Sequence, residues 1–361
     1  EVQITLPSNY VVAATGDLQN ESEKQWLKNK KPIYREPKPR PNGSSGRAKK
    51  KEDEDDLYPS SAKIKTIQYK QNNVHDFAWF ADKTFTVKTD TLKLPSGKII
   101  QANTFYYSEN SEKWQNSIAM TKRAILTKSK WMGEYPFNVV SVVDGGNGGG
   151  IEYPTITLLN DGGSEKSLDF VINHEVGHNW FEVILGTNER THPWMDEGMN
   201  TYYDNRYALQ QYGNTDLDII HSKSAFINHR LPDDIQHTLL QTVTGIKKDQ
   251  PIETSSEKFN VFNYNMVAYV KTGDWMKLLE DELGKPMFDK CMQEYYNRWQ
   301  FKHPYPEDFK KVMEEVSGRN LDAAFALLNK KGDLKKSTVK KDIRFAAFFS
   351  MKETNKHNYI F

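Results

Sequence analysis

The stretch "NHEVGHNWF", residues 173–181, decides how the rest of the 361-residue chain is read. It holds His174, Glu175 and His178. A helix brings positions four apart onto one face, so the two imidazoles reach a single ion. Neutral imidazole suits zinc. Glu175 stands to one side of that ion, placed to take a proton from an attacking water. Zinc catalysis also needs a third protein ligand and one open position. Without them the pentapeptide is a polar helix face carrying two surface histidines.

The next segment, "WMDEGMNTYYDNRY" (residues 194–207), offers that ligand. Eighteen residues separate His178 from Glu197. That length lets one helix finish, a loop reverse the chain, and a second helix present a carboxylate. His192 is the competing donor, but Pro193 follows it and its setting is that of an ordinary loop histidine. Asp204 lies seven residues after Glu197, two turns along. It either hydrogen-bonds a zinc-held histidine or is a solvated aspartate.

Working outward, the texture divides near residue 90. Before it, "VQITL", "KIKTIQYK" and "FAWFADKTFTVK" are rich in β-branched and aromatic residues and read as strands. Between them, residues 35–59 carry four prolines, then a basic block and an acidic block. Such a stretch cannot bury a core and is expected to be a disordered, charged insertion. From 91 onward, "IIQANTFYYS", "FNVVSVVD" and "TITLLND" read as strands, with a helical run after Ser111 as its cap. After Lys166 nearly everything is helical to about 330, including all of "SLDFVINHEVGHNWFEVIL". A mixed sheet followed by helices is an α+β domain.

The bulk numbers exclude several classes. Lys plus Arg (49) and Asp plus Glu (48) nearly cancel, so no broad basic field favours nucleic acid. No apolar run is long enough for a transmembrane helix. The single cysteine, Cys291, excludes an internal disulfide framework and reads as an inert core residue. The opening "EVQITLPSNYVVAATG" starts inside a strand pattern, and "HNYIF" ends the chain without a stop signal. Both ends read as cut from a longer polypeptide, so any targeting signal would lie outside the sequence.

Three motifs in order make the sequence recognisable. "HEVGH", eighteen residues, then Glu197 resembles the gluzincin zinc aminopeptidases of the aminopeptidase N and leukotriene hydrolase family. That family carries Gly-x-Met-Glu-Asn upstream of the zinc helix. Here "GGNGGGIEYPTI" (residues 145–156) stands in that place, with Ile151 for the Met and Tyr153 for the Asn. The family also has a tyrosine in a Tyr-x-Lys-Gly context. "AYVKTGDWMKLLEDELG" supplies Tyr269, with Thr272 before Gly273. "WQFKHPYPEDFKKVMEEVSGRNLDAAF" is similar to the family's closing helices, and the resemblance spans about residues 60 to 330.

The resemblance implies a thermolysin-like zincin catalytic domain over residues 91–330. The remaining strands of an all-β N-terminal domain would precede it over 1–90, and a linker opening a truncated C-terminal region would follow over 331–361. It implies one Zn2+ held by His174, His178 and Glu197, with Glu175 as general base and proton shuttle. Tyr269 would donate to the developing oxyanion; the plainer reading packs it among Phe262, Tyr264 and Trp275. Glu152, with Gly149 and Gly150, would grip the substrate's α-ammonium, the glycines letting a peptide approach the following edge strand. The implied activity is a metalloprotease acting as an aminopeptidase on peptides with a free N-terminus. The family's second amine-gripping residue comes from an N-terminal β domain mostly absent here, so the amine site would be incomplete in this chain. Two rivals stand beside this reading: an endopeptidase with an open cleft, and a catalytically incomplete zinc-binding module.

Overall fold

The computed structural model describes residues 1–34, 57–146, 150–160, 163–215 and 235–334. Most of the charged stretch at 35–59, Gly149, and residues 335–361 lie outside the described residues. The chain forms two compact units. One comprises Glu1–Gly186 and Tyr296–Lys302; the other lies within Thr187–Asp216, Ile220–Tyr295 and His303–Phe361. Among the described residues no helix is long and apolar enough to cross a membrane.

In the first unit β1 (Val2–Pro7) leads to β2 (Val11–Ala14) and β3 (Asp17–Leu18). Helix α1 (Glu21–Asn29) follows, then β4 (Ile64–Lys70) and β5 (Trp79–Asp82). β4 pairs with β1 and β3 in a three-stranded antiparallel sheet, and β2 pairs with β5. All four residues of β2 are buried, and alternation along a strand divides them between two clusters. Val11 and Ala13 pack with Phe85, Phe105, Val143 and Ile156; Val12 and Ala14 pack with Ile4, Ile67 and Tyr69. Each fully buried valine contributes about 1.5–3 kcal/mol relative to exposure.

The larger sheet uses β6 (Thr86–Lys93), β7 (Ile99–Tyr106), β8 (Val139–Gly146), β9 (Ile151–Tyr153) and β10 (Ile156–Asn160). Its order is β6-β7-β8-β10-β9. β7–β8 and β8–β10 are parallel, and the outer pairs are antiparallel. This is the mixed sheet expected. It leaves β9 as an edge strand, with Glu152 opposite Thr157 of β10. A short turn of helix α2 (Ser111–Trp114) and then α3 (Ser117–Trp131) bridge β7 and β8. Helix α4 (Glu165–Gly177) lies against α3. Ser164 caps α4 by accepting from the Ser167 N–H at 3.0 Å. Arg123 pairs with the buried Asp169 at 2.7 Å, and the buried Lys128 donates to the Asn173 carbonyl at 2.9 Å. The helix carrying His174 is thus pinned beside its second half.

"FAWFADKTFTVK" forms strands in two different sheets, because the Asp82 carboxylate accepts from both the N–H and hydroxyl of Thr84 at 2.6 Å and turns the chain. Two local expectations fail. Ser111 does not cap a helix; its hydroxyl donates to the Ser108 carbonyl at 2.5 Å. The zinc-motif helix stops at Gly177 instead of running to Leu185. Beyond it, the N–H groups of Val183, Ile184 and Leu185 reach back five residues to His178, Asn179 and Trp180. Trp180, Phe181, Ile184 and Leu185 are all buried by this wide turn.

The second unit is helical: α5 (Met199–Tyr212), α6 (Ile235–Gly245), α7 (Thr272–Leu283), α8 (Lys285–Trp299, whose last residues belong to the first unit) and α9 (Pro306–Ser317). α7 ends at Gly284 with φ 78°, a left-handed position that glycine fills without a Cβ penalty. Trp194, Trp275, Phe309 and Phe325 meet edge to face or tilted at 5.2–6.4 Å between ring centroids. Arg206 forks onto both oxygens of Asp289 at 2.6 and 2.9 Å, tying α5 to α8.

Candidate metal centre

In the first unit His174 sits in the last turn of α4 and His178 caps its C-terminus. His178 keeps helical angles (φ −61°, ψ −17°), so the four-residue spacing still brings the rings together although the helix ends there. Their Nε2 atoms are 3.2 Å apart and the rings stand nearly perpendicular. Two nitrogens at about 2.0–2.1 Å from a tetrahedral zinc lie about 3.3–3.4 Å apart, so the pair fits one ion. The other nitrogen of His178 agrees. Its Nδ1 faces the Phe181 carbonyl at 3.3 Å. A carbonyl only accepts, so Nδ1 carries the proton and Nε2 keeps its lone pair. The wide turn after α4 is what brings the Phe181 carbonyl back to that ring.

Glu175 is buried, with 6% of its surface exposed. Its carboxylate lies against the chain at Gly150. A Cβ at that glycine would fall 1.9 Å from Glu175 Oε1 and 2.3 Å from its Cδ. The space that a side chain would take at Gly150 is filled by Glu175. Two residues on, Glu152 is half-buried on the edge strand β9, next to the stretch that holds Glu175.

In the second unit Glu197 and Tyr269 both sit on widened helical segments. Trp194–Gly198 and Tyr264–Lys271 have hydrogen bonds that span five residues, as from the Met199 N–H to Trp194 and from the Thr272 N–H to Val267. Such bulges recur at functional sites. The two segments touch: a Cβ on Gly198 would lie 2.3 Å from Thr272 Cβ and 2.5 Å from the Ala268 carbonyl oxygen. The Tyr269 hydroxyl donates to the carboxylate of Glu197. Its ring meets Tyr264 edge to face at 5.7 Å. Burial first, then the Glu197 carboxylate, push the Tyr269 phenol well above its ordinary pKa, so it remains a donor at neutral pH. The ring packs, as the plainer reading holds, but the hydroxyl is aimed at the proposed ligand.

His192 is engaged elsewhere: its Nδ1 bonds the Glu253 carboxylate and its ring meets Tyr305 at 5.8 Å. Asp204 has no exposed surface, which removes the solvated reading. Asp249 pairs with Lys271 of one widened segment, and Glu253 accepts from the indole of Trp194 in the other. Nothing in their spacing singles them out, because each acts through a partner distant in sequence.

The comparisons agree with this geometry. A Deinococcus radiodurans M1 zinc metallopeptidase superposes with a TM-score of 0.60 at 15% identity, over 92% of this chain and 64% of that one. Legionella pneumophila aminopeptidase A does so with a TM-score of 0.64 at 14% identity, over 91% and 34%. In sequence, a leukotriene A-4 hydrolase homolog of Botryotinia fuckeliana is 24% identical over 188 residues, half of this chain and 27% of that protein. The puromycin-sensitive aminopeptidase of Caenorhabditis elegans is 23% identical over 228 residues, 58% of this chain and 23% of that protein. The chain thus spans about a quarter of the length of these curated relatives. The profile described as "Peptidase family M1 domain" matches residues 147–327, which is half of the chain and contains both histidines, Glu175, Glu197 and Tyr269. On that match, with the fold it predicts, the chain belongs to peptidase family M1.

Proposed function

We propose that this chain carries the catalytic centre of a zinc-dependent aminopeptidase, with His174, His178 and Glu197 holding one ion. The observation that carries the reading is the convergence of two imidazole nitrogens, 3.2 Å apart, beside a buried glutamate. Two neutral imidazoles and a carboxylate are a donor set that zinc takes. Zinc there would supply Lewis acidity toward a peptide carbonyl. The rest is the work of the chain. Glu175 accepts a proton from the attacking water and returns it to the leaving amine. Tyr269 donates its hydroxyl proton in a hydrogen bond to the oxygen on which charge develops. The edge strand β9 offers its backbone to an extended peptide, and Glu152 on it faces the α-ammonium of the first residue. Asp204, buried on α5, takes the role of a support for the metal-holding side chains. In the same proposal, residues 1–90 are strands of a β domain and residues 91–330 form the catalytic domain.

Glu152 separates exopeptidase from endopeptidase. A charge-assisted hydrogen bond contributes about 1.5–3 kcal/mol, or roughly 10- to 150-fold in kcat/KM. Glu152→Ala in the full-length protein should lower hydrolysis of free-amine substrates by that factor and leave N-acetylated ones nearly unchanged. The ratio of the two activities should collapse toward one. Equal losses on both would show that Glu152 supports the loop, and wild-type cleavage of the blocked peptide as fast as the free one would favour the endopeptidase.

A further inference from the structure

The two widened segments of the second unit share an anchor. The stretch Asp249–Glu253, "DQPIE", has an acid at each end and the fully buried Ile252 between them. Asp249 is itself fully buried and takes the ammonium of Lys271 at 2.6 Å. The Gly332 N–H points at both Asp249 oxygens, at 3.0 and 2.9 Å, and Lys271 also donates to the Lys330 carbonyl at 3.2 Å. At the other end the Glu253 carboxylate engages Nδ1 of His192 with one oxygen and Nε1 of Trp194 with the other. Its backbone N–H donates to the Leu328 carbonyl at 2.9 Å.

The targets of these two acids are what matters. Lys271 follows Tyr269 by two residues in the same segment. Residues two apart on a helix point to opposite sides, so the ion pair grips the back of the segment whose other side carries the Tyr269 hydroxyl. Trp194 opens the segment that carries Glu197. Widened helical turns depart from the regular hydrogen-bond ladder and persist where their surroundings fix them. Resting on the zinc-peptidase reading above, we infer that Asp249 and Glu253 are positioning residues with separate duties. Asp249, through Lys271, sets Tyr269 for the transition state. Glu253, through His192 and Trp194, sets Glu197 for the metal. The chain at 328–332 braces both.

The test uses the full-length protein, with zinc affinity measured by competition against a chromophoric chelator alongside kcat, KM and the melting temperature. Supporting partners of metal ligands typically change affinity by about 10–100-fold, so Glu253→Ala should weaken zinc binding by that factor. Asp249→Asn should leave zinc affinity unchanged and lower kcat at constant KM by roughly 10²-fold, the cost of a misplacement near 1 Å. Asp249→Asn leaves the Lys271 charge buried with a poorer partner. If that variant does not fold, Asp249→Leu with Lys271→Met removes both charges, and its kcat should fall in the same way. Lower melting temperatures with wild-type zinc affinity and wild-type kcat, measured well below unfolding, would overturn the inference. A wild-type protein with no zinc affinity would overturn the zinc-peptidase reading itself and this inference with it.

Discussion

Adding one methyl group at Gly150 should silence the general base without touching a metal donor. The backbone there is outside the left-handed region, so alanine is acceptable to the chain itself, and only space opposes it. The new Cβ would lie 1.9 Å from Glu175 Oε1 and 2.3 Å from Cδ, both well inside ordinary contact, and 2.9 Å from Cγ. The atoms in the way are the end of a side chain, so the carboxylate moves and the fold survives. Overpacking of this kind costs about 1–3 kcal/mol of stability. A carboxylate displaced by about 1 Å no longer meets the attacking water, which costs roughly 10²-fold in rate. The whole general-base contribution, roughly 10²–10⁴-fold, is the upper bound. The assay is kcat on a free-amine aminoacyl substrate, with zinc content and melting temperature taken on the same samples. Zinc content should be unchanged, because the three atoms nearest the new methyl all belong to Glu175. Wild-type kcat in Gly150→Ala would refute the reasoning, since the base would then tolerate a shift that the geometry makes unavoidable.

Two other substitutions test the second unit. Glu197→Ala should lower zinc stoichiometry with turnover falling alongside it; unchanged stoichiometry by metal analysis would assign the third ligand elsewhere. Tyr269→Phe keeps the ring and its contact with Tyr264 while removing the hydroxyl that donates to Glu197. kcat should fall by roughly 10²–10³-fold with little change in KM, and a lowered melting temperature with normal kcat would assign Tyr269 to packing alone.

Much of this architecture is legible in the sequence where one local rule decides. Four-residue spacing places His174 and His178 on one face, and apolar, β-branched runs such as "FNVVSVVD" mark the strands of the mixed sheet. Gly284 ends α7. The unread parts depend on burial and on contacts distant in the chain. "HNWFEVIL" has no Gly or Pro and reads as helix. In the structure Glu182 adopts φ 110°, a conformation that favours glycine, and its carboxylate is held by His75 at 3.1 Å. The widened segments at 194–198 and 264–271 follow the same logic, since the pattern of apolar residues does not distinguish five-residue from four-residue hydrogen bonding. A glycine such as Gly150 reports only that something comes close. The sequence does not say whether it comes from outside or from a side chain 25 positions away. Helix α1, in a stretch otherwise read as strands, is polar on most positions and is fixed by pairs such as Glu23 with Lys65 at 2.5 Å.

The central claim is that Glu175 moves the proton at a zinc held by other residues. Glu175→Gln in the full-length protein, compared with wild type for bound zinc and for kcat, tests it most directly. Glutamine preserves the shape and removes the basicity. The account predicts one zinc per chain in both proteins and a kcat lower by roughly 10²–10⁴-fold in the variant. Intact zinc with wild-type turnover would contradict it.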